Sequence, residues 1–369
     1  MSVVRRDPPF RAEHIGSLLR PPALLAARRA FDEGRLSPEA LRDEEDRWIR
    51  EAVALQERLG LHAVTDGEYR RLIYFGHFPA AVSGFTEMDA ELAFRDEQGR
   101  PLRYRTPVVT GRLRRQRGIA TDELAFVRGL TGRTVKVTLP SPCSQHFFRW
   151  RGGVSERAYP DLAEFFADVA RVYREELSDL AAHGATYVQL DDVSLPLLCD
   201  ARHREWVRAR GHDPDTLIDA YVDVVNASVS GRPPGLVVGM HFCRGNNQGK
   251  WLGEGGYEAV AERVFGRLDL DVLFLEYDSP RAGDFTPLAH VPDDRHVVLG
   301  LVSTKSPTLE PMDALRRRID EAGRHVSLDR LALSPQCGFA STAPGNPLTL
   351  DDQERKLALV VDVAARVWG

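Results

Sequence analysis

Cysteine is scarce in this chain: Cys143, Cys199, Cys243 and Cys337 are the only four in 369 residues. They are too few and too scattered for a disulfide framework at this size, so reduced thiols are expected, some of them functional. Lysine is scarcer than its charge class suggests, with Lys136, Lys250, Lys305 and Lys356 alone among 49 basic residues. Long apolar runs are missing as well. No stretch is long enough to span a bilayer, and the opening "MSVVRRDPPFRAEH" lacks the apolar core of a signal peptide. A cytoplasmic protein is therefore expected. No charge of one sign dominates: the net charge is −5 with 28% charged residues, which gives no bias toward nucleic acid or anionic membrane. The one basic run, "GRLRRQRG" from Gly111 to Gly118, reads as a solvated loop. Low-complexity tracts and internal repeats are absent.

What is present is a rhythm of short apolar runs, each ending in a polar cluster and mostly followed by a helical pattern. Eight such runs occur: "EHIGS" ending at Ser17, "HAVTDGE" at Glu68, "TVKVTLPSP" at Pro142, "TYVQLDD" at Asp192, "LVVGMHFC" at Cys243, "VLFLEYD" at Asp278, "VVLGLVSTK" at Lys305 and "LALSPQC" at Cys337. Several are rich in β-branched residues and nearly continuous in hydrophobicity, as parallel strands buried on both faces must be. Between them lie amphipathic segments such as "SPEALRDEEDRWIREAVALQERLG", with Ser37 placed to cap it, and "DLAEFFADVARVYREELSDLAAHG", closed by Gly184. Eight strand-helix units predict an α/β fold of the (β/α)8 TIM-barrel type, one domain over residues 1–369. About Pro79 to Gly132 the pattern turns polar and irregular, with "FRDEQGRPLRY" shaped like a hairpin. That segment is expected to be an insertion after the second strand, lying over one end of the barrel.

Active sites of such barrels form where strands end, so the polar run ends become candidates by position. In an extended strand residues i and i+2 face the same side, which points His241 and Cys243 at one spot. Glu276 and Cys337 end the sixth and eighth runs. Two thiolates, an imidazole and a carboxylate suit tetrahedral Zn2+. His-x-Cys by itself is more often what a packed core produces, since a free cysteine is a common small core residue, and it is the second cysteine and the carboxylate at equivalent run ends that shift the balance toward a metal.

Taken in order, "HIGS", "DGE", "QLDD", "HFC", "LEYD" and "SPQCG" resemble the catalytic barrel of cobalamin-independent methionine synthase and its short single-barrel relatives, from about His14 to Gly338. The resemblance implies a catalytic zinc on His241, Cys243, Glu276 and Cys337, and alkyl transfer to a substrate thiol. It implies homocysteine contacts at Ser17, Glu68 and Asp191, two carboxylates for the α-ammonium and the backbone near Gly16 for the carboxylate. His14, Arg244 and Asn246 are further candidates for substrate binding. The partners implied are a small-molecule thiol and an alkyl donor such as a methylated folate.

The chain departs from the family at three places. Leu197 stands where a glutamate contacts folate, an aromatic at Phe147 or Phe148 replaces the folate-stacking tryptophan, and Lys305 replaces the histidine that protonates the leaving group. Lys305 becomes a candidate catalytic residue, either as a proton donor if desolvation lowers its pKa or as a partner for an anion. Methylation of homocysteine to methionine is the leading expectation. Epoxide opening by a thiol such as coenzyme M, a cofactor-free lyase like the porphyrinogen decarboxylases, and a zinc-binding protein without turnover are the alternatives.

Overall fold

The computed structural model describes residues 7–95, 100–102 and 104–369. Its centre is a seven-stranded, all-parallel sheet in sequence order: β1 (Ala63–Val64), β2 (Thr134–Pro140), β3 (Tyr187–Asp192), β4 (Val237–Phe242), β5 (Val272–Glu276), β6 (His296–Val302) and β7 (Leu331–Pro335). Six of the eight runs thus form strands of five to seven residues, and the second forms a strand of two.

The sheet curls. Ala63 of β1, Tyr187 of β3, Phe274 of β5, Val298 of β6 and Ala332 of β7 join Phe10 and Ile15 in one apolar cluster, separate from the larger core under the helices. The fold is therefore α/β with a curled parallel sheet, its inner face packed on residues 10–15.

The first run departs from expectation. Ala12 makes a parallel bridge to Leu333 of β7, but "EHIGS" is not a strand. Side chains take the place of ladder partners: Lys136 Nζ donates to the carbonyl of His14, Gln189 Nε2 to that of Ile15 at 2.6 Å, and Thr65 Oγ1 to that of Gly16 at 2.7 Å. Gly16 itself has φ +137°, outside strand geometry.

Helices cover the outer face. Pro38–Arg58 starts at Ser37, whose side chain accepts from Ala40 N–H; Leu162–Ala182 starts at Asp161 and ends before Gly184 at φ +83°. Pro214–Val229 starts at Asp213, Met312–Ala322 follows β6, and Leu350–Trp368 opens with a capping box between Thr349 and Asp352. No helix among the described residues is long and apolar enough to cross a membrane.

The insertion is more regular than its composition suggests. Val82–Asp89 pairs antiparallel with Arg105–Arg115, and Thr121–Arg128 is helical. The basic run is not a free loop. Its first five residues belong to that strand, where Leu113 is buried and Arg115 pairs with Glu176 at 2.8 Å and with Asp179. Alternation along the strand hides the apolar residues among arginines, which is why composition alone misread it. The expected hairpin is present in its flanks, Phe94–Arg95 against Pro101–Leu102; residues 96–99 and 103 lie outside the described residues.

Candidate active site

The strand ends open into a cavity of about 770 Å3, its mouth included, within the range of small-molecule sites. Its walls carry His241, Cys243 and Cys337 together with Ser17, Glu68, Asp191 and Asn246. Seven residues from five separate stretches of sequence meet there.

The ligand atoms of His241, Cys243 and Cys337 all lie within 4.8 Å of one another, and the two sulfurs are 3.4 Å apart. Two sulfurs on one tetrahedral zinc, each at ~2.3 Å, would be ~3.8 Å apart, so the spacing is within a few tenths of what that ion requires. Neither ring nitrogen of the buried His241 has a conventional hydrogen-bond partner in the protein. A buried imidazole facing two thiols without a partner is the donor set zinc takes up, and these three residues fit the metal.

Electrostatics within the cluster are mutual. The hydrogen bond from Cys243 holds the Cys337 thiol well below its usual range against the opposing effect of burial, with His241 and Lys305 adding to it. Cys243 is pushed up by that same contact and by burial, and Gly245 N–H lies 3.3 Å from its sulfur. Burial would lower His241, but the Cys337 sulfur, Asp191 and Glu276 outweigh it and raise the imidazole.

Glu276, expected as the fourth ligand, ends β5 nearby but stands outside the 4.8 Å group. One carboxylate oxygen accepts Arg244 N–H at 2.8 Å, and the other lies 3.7 Å from Lys305 Nζ. Lys305 does not line the cavity. Burial would lower its pKa, but Glu276, Asp278 and the two cysteines raise it, so the ammonium is held charged as an ion-pair partner. That is opposite to the lowering a proton donor needs.

Glu68 owes its position to a local device. Gly67 at φ +67° and Glu68 at φ +59° form a left-handed turn in which Asp66 Oδ1 accepts Glu68 N–H. Only a firmly held site keeps a glutamate there. Its Oε1 accepts Thr138 Oγ1 at 2.9 Å and lies 3.4 Å from Arg71, while Oε2 has no partner. Burial pushes Glu68 up to about 8 and Asp191 up to about 6. Two buried carboxylates, one with an open oxygen, make a receptor for an ammonium group.

The other expectations divide. Asn246 Nδ2 donates to Gly338 O at 2.8 Å and its Oδ1 is unpartnered. Arg244 is fully buried, and its guanidinium is consumed by Gly255 O, Tyr257 Oη and Glu276 O, which makes it a clamp on the β4 and β5 ends and no substrate contact. His14 is buried away from the cavity, and burial lowers it to about 3. Phe148 lines the cavity, whereas Phe147 packs on Trp206, 5.4 Å between ring centroids. Leu197 is buried and does not line the cavity. Tyr74, Phe75, Tyr104 and Arg149 line the cavity without having been foreseen. Tyr104 belongs to the irregular insertion, and Arg149 follows "QHFF", where a lone arginine carries no pattern.

Residues 10–366 match the family described as the cobalamin-independent synthase catalytic domain. The chain belongs to that family. YxjH of Bacillus subtilis (strain 168), itself described as uncharacterized, is 41% identical over 99% of this chain and 96% of its own length. A protein of Pyrococcus abyssi named methionine synthase is 25% identical over 88% of this chain and 85% of its own. A crystal structure from Listeria monocytogenes, titled a putative vitamin-B12 independent methionine synthase, superposes with TM-score 0.76 at 29% identity, over 99% of this chain and all of that one. Membership supports methyl transfer of the methionine-synthase kind.

Proposed function

We propose that this protein is a zinc-dependent thiol alkyltransferase that methylates homocysteine to methionine, with a methylated tetrahydrofolate as donor. The observation that carries this reading is the meeting of the His241, Cys243 and Cys337 ligand atoms within 4.8 Å in a cavity that also holds Glu68 and Asp191. Those three residues would hold the metal, with Glu276 as fourth ligand on giving up its contact with Lys305. Zinc there supplies a depressed thiol pKa while leaving the sulfur nucleophilic, because two thiolates and a carboxylate offset the ion's charge.

The chain's own residues do the rest. Glu68 and Asp191 take the α-ammonium, which draws protons off both carboxylates. Ser17 lies beside Gly338 and Ala340, where backbone N–H groups and its hydroxyl hold the α-carboxylate. Asn246 orients the acceptor from the β4 side. Lys305 supplies the counter-charge beside Glu276, 3.7 Å from its Oε1. Residues 10–18 act as the eighth stave between β7 and β1, which closes the sheet into one (β/α)8 barrel domain working in the cytoplasm.

Zinc analysis and X-ray absorption test this reading. About one zinc per chain is expected, with one further sulfur in the ligand shell on adding homocysteine and loss of metal in Cys337→Ala. Zinc-free protein that still transfers methyl groups, or Cys337→Ala with its zinc intact, would overturn it.

A further inference from the structure

Arg149 is among the largest fully buried side chains of the protein and lines the cavity. Its position is fixed on both sides: its backbone N–H donates to His146 O, and its carbonyl accepts Val109 N–H at 2.8 Å from the inserted strand. Its guanidinium lies 4.6 Å from the Phe75 ring centroid, 5.6 Å from that of Phe85 and 5.8 Å from that of Phe78. The rings occupy its neighbourhood but provide no acceptor in the guanidinium plane. Among the described residues its one side-chain hydrogen bond runs from Nη1 to Oε1 of Gln145, and no carboxylate lies within ion-pairing distance. The edge formed by Nε and Nη2 is thus left without a protein acceptor. Aromatic contact offsets less than the desolvation of a buried cation costs, so packing alone is a poor account of an arginine here.

The same cavity holds charge of both signs. Tyr74, which also lines it, interacts electrostatically with Arg149 and with Asp191 and Cys243. The cavity therefore has an acidic pole at Glu68 and Asp191, suited to an ammonium, and a basic pole at Arg149 among Tyr74, Phe75 and Phe148.

We propose that Arg149 is a specificity-determining residue that pairs through its Nε–Nη2 edge with a carboxylate on the substrate sharing this cavity with the thiol, a carboxylic acid with an apolar or aromatic body. Two parallel N–H donors match the two oxygens of a carboxylate. The assignment of that acid as alkyl donor rests on the alkyl-transfer reading; the binding site does not.

Titration calorimetry of the zinc-supplied protein with 3-phenylpropionate, 3-phenylpropionamide and 2-phenylethanesulfonate tests the proposal. The acid is expected to bind at least tenfold tighter than the amide, with that preference lost in Arg149→Gln and partly kept in Arg149→Lys. Equal binding of acid and amide by the wild type, no millimolar binding of either, or a preference that survives in Arg149→Gln overturns it. A sulfonate preferred tenfold over the acid overturns the carboxylate assignment. Zinc content and homocysteine-induced sulfur ligation are followed on the same samples, so loss of either with acid discrimination intact refutes the thiol chemistry and leaves the Arg149 site standing. The wild-type comparison needs no variant, so a misfolded Arg149→Gln leaves the test decisive.

Discussion

Replacing Lys136 with methionine should destabilise the protein by breaking the contact that ties residues 10–18 to the sheet. Lys136 Nζ lies 3.0 Å from Glu13 Oε2 and also donates to His14 O, and both charged side chains are fully shielded from solvent. Glu13 is further engaged by Phe10 N–H at 2.9 Å and Tyr187 Oη at 3.1 Å. Removing the ammonium leaves a carboxylate buried with two donors and no counter-charge, a change that costs about 3–5 kcal/mol. An unfolding entropy of roughly 2.1 cal/mol/K per residue gives about 0.8 kcal/mol/K for the 369-residue chain, so Tm should fall by about 4–6 °C. Differential scanning calorimetry measures this directly. Adding Glu13→Gln in the same chain removes the stranded charge while keeping an acceptor for Phe10 and Tyr187, and should recover about half of the loss. A Lys136→Met protein within about 1 kcal/mol of wild type, or a double variant less stable than the single one, would refute the reasoning.

Homocysteine affinity should rise with pH between about 6 and 8, by up to about tenfold per unit, because Glu68 must ionise before it can hold an ammonium; fluorescence titration of wild type and Glu68→Gln checks this, and a flat wild-type profile would count against it. The same group sets a stability slope in the unliganded protein. Its pKa is raised on folding, so its contribution is fully present below pH 4.5 and is lost as pH rises through about 8; Glu68→Gln should flatten that part of the Tm-against-pH curve. Gly16→Ala should cost about 1–3 kcal/mol, since φ is +137° and a Cβ would meet Thr138 Cγ2 at 2.8 Å. Because that Cβ would also come within 3.4 Å of Glu68 Oε1, acceptor affinity should weaken as well, by the same titration.

All seven sheet strands fall within expected runs, although the second run forms only Ala63–Val64, because burial on both faces writes continuous apolar runs; the helices Pro38–Arg58 and Leu162–Ala182 were legible from their periodicity, with Ser37 marking one start and Gly184 one end. The first run was misread for a reason that lies in its neighbours: Lys136, Gln189 and Thr65 satisfy its carbonyls from strands far away in sequence. The cysteine-histidine cluster was legible since each member ends a strand, and a parallel sheet gathers its carboxyl ends. Arg244 looked like a substrate contact because nothing local reveals that Gly255, Tyr257 and Glu276 would saturate it. Arg149 escaped notice for the converse reason, as an arginine without acceptors looks in sequence like any other.

The distribution of lysine has a practical side. Lys136 and Lys356 have no exposed side-chain surface and Lys305 has 8%, each committed to an acidic partner, while Lys250 keeps partial exposure. Amine-directed dyes and crosslinkers will therefore find one side-chain target in the folded protein. Lys250 bridges to Asn247, which accepts a hydrogen bond from Thr342 on the cavity wall, so a fluorophore placed there would sit one hydrogen bond away from the cavity lining.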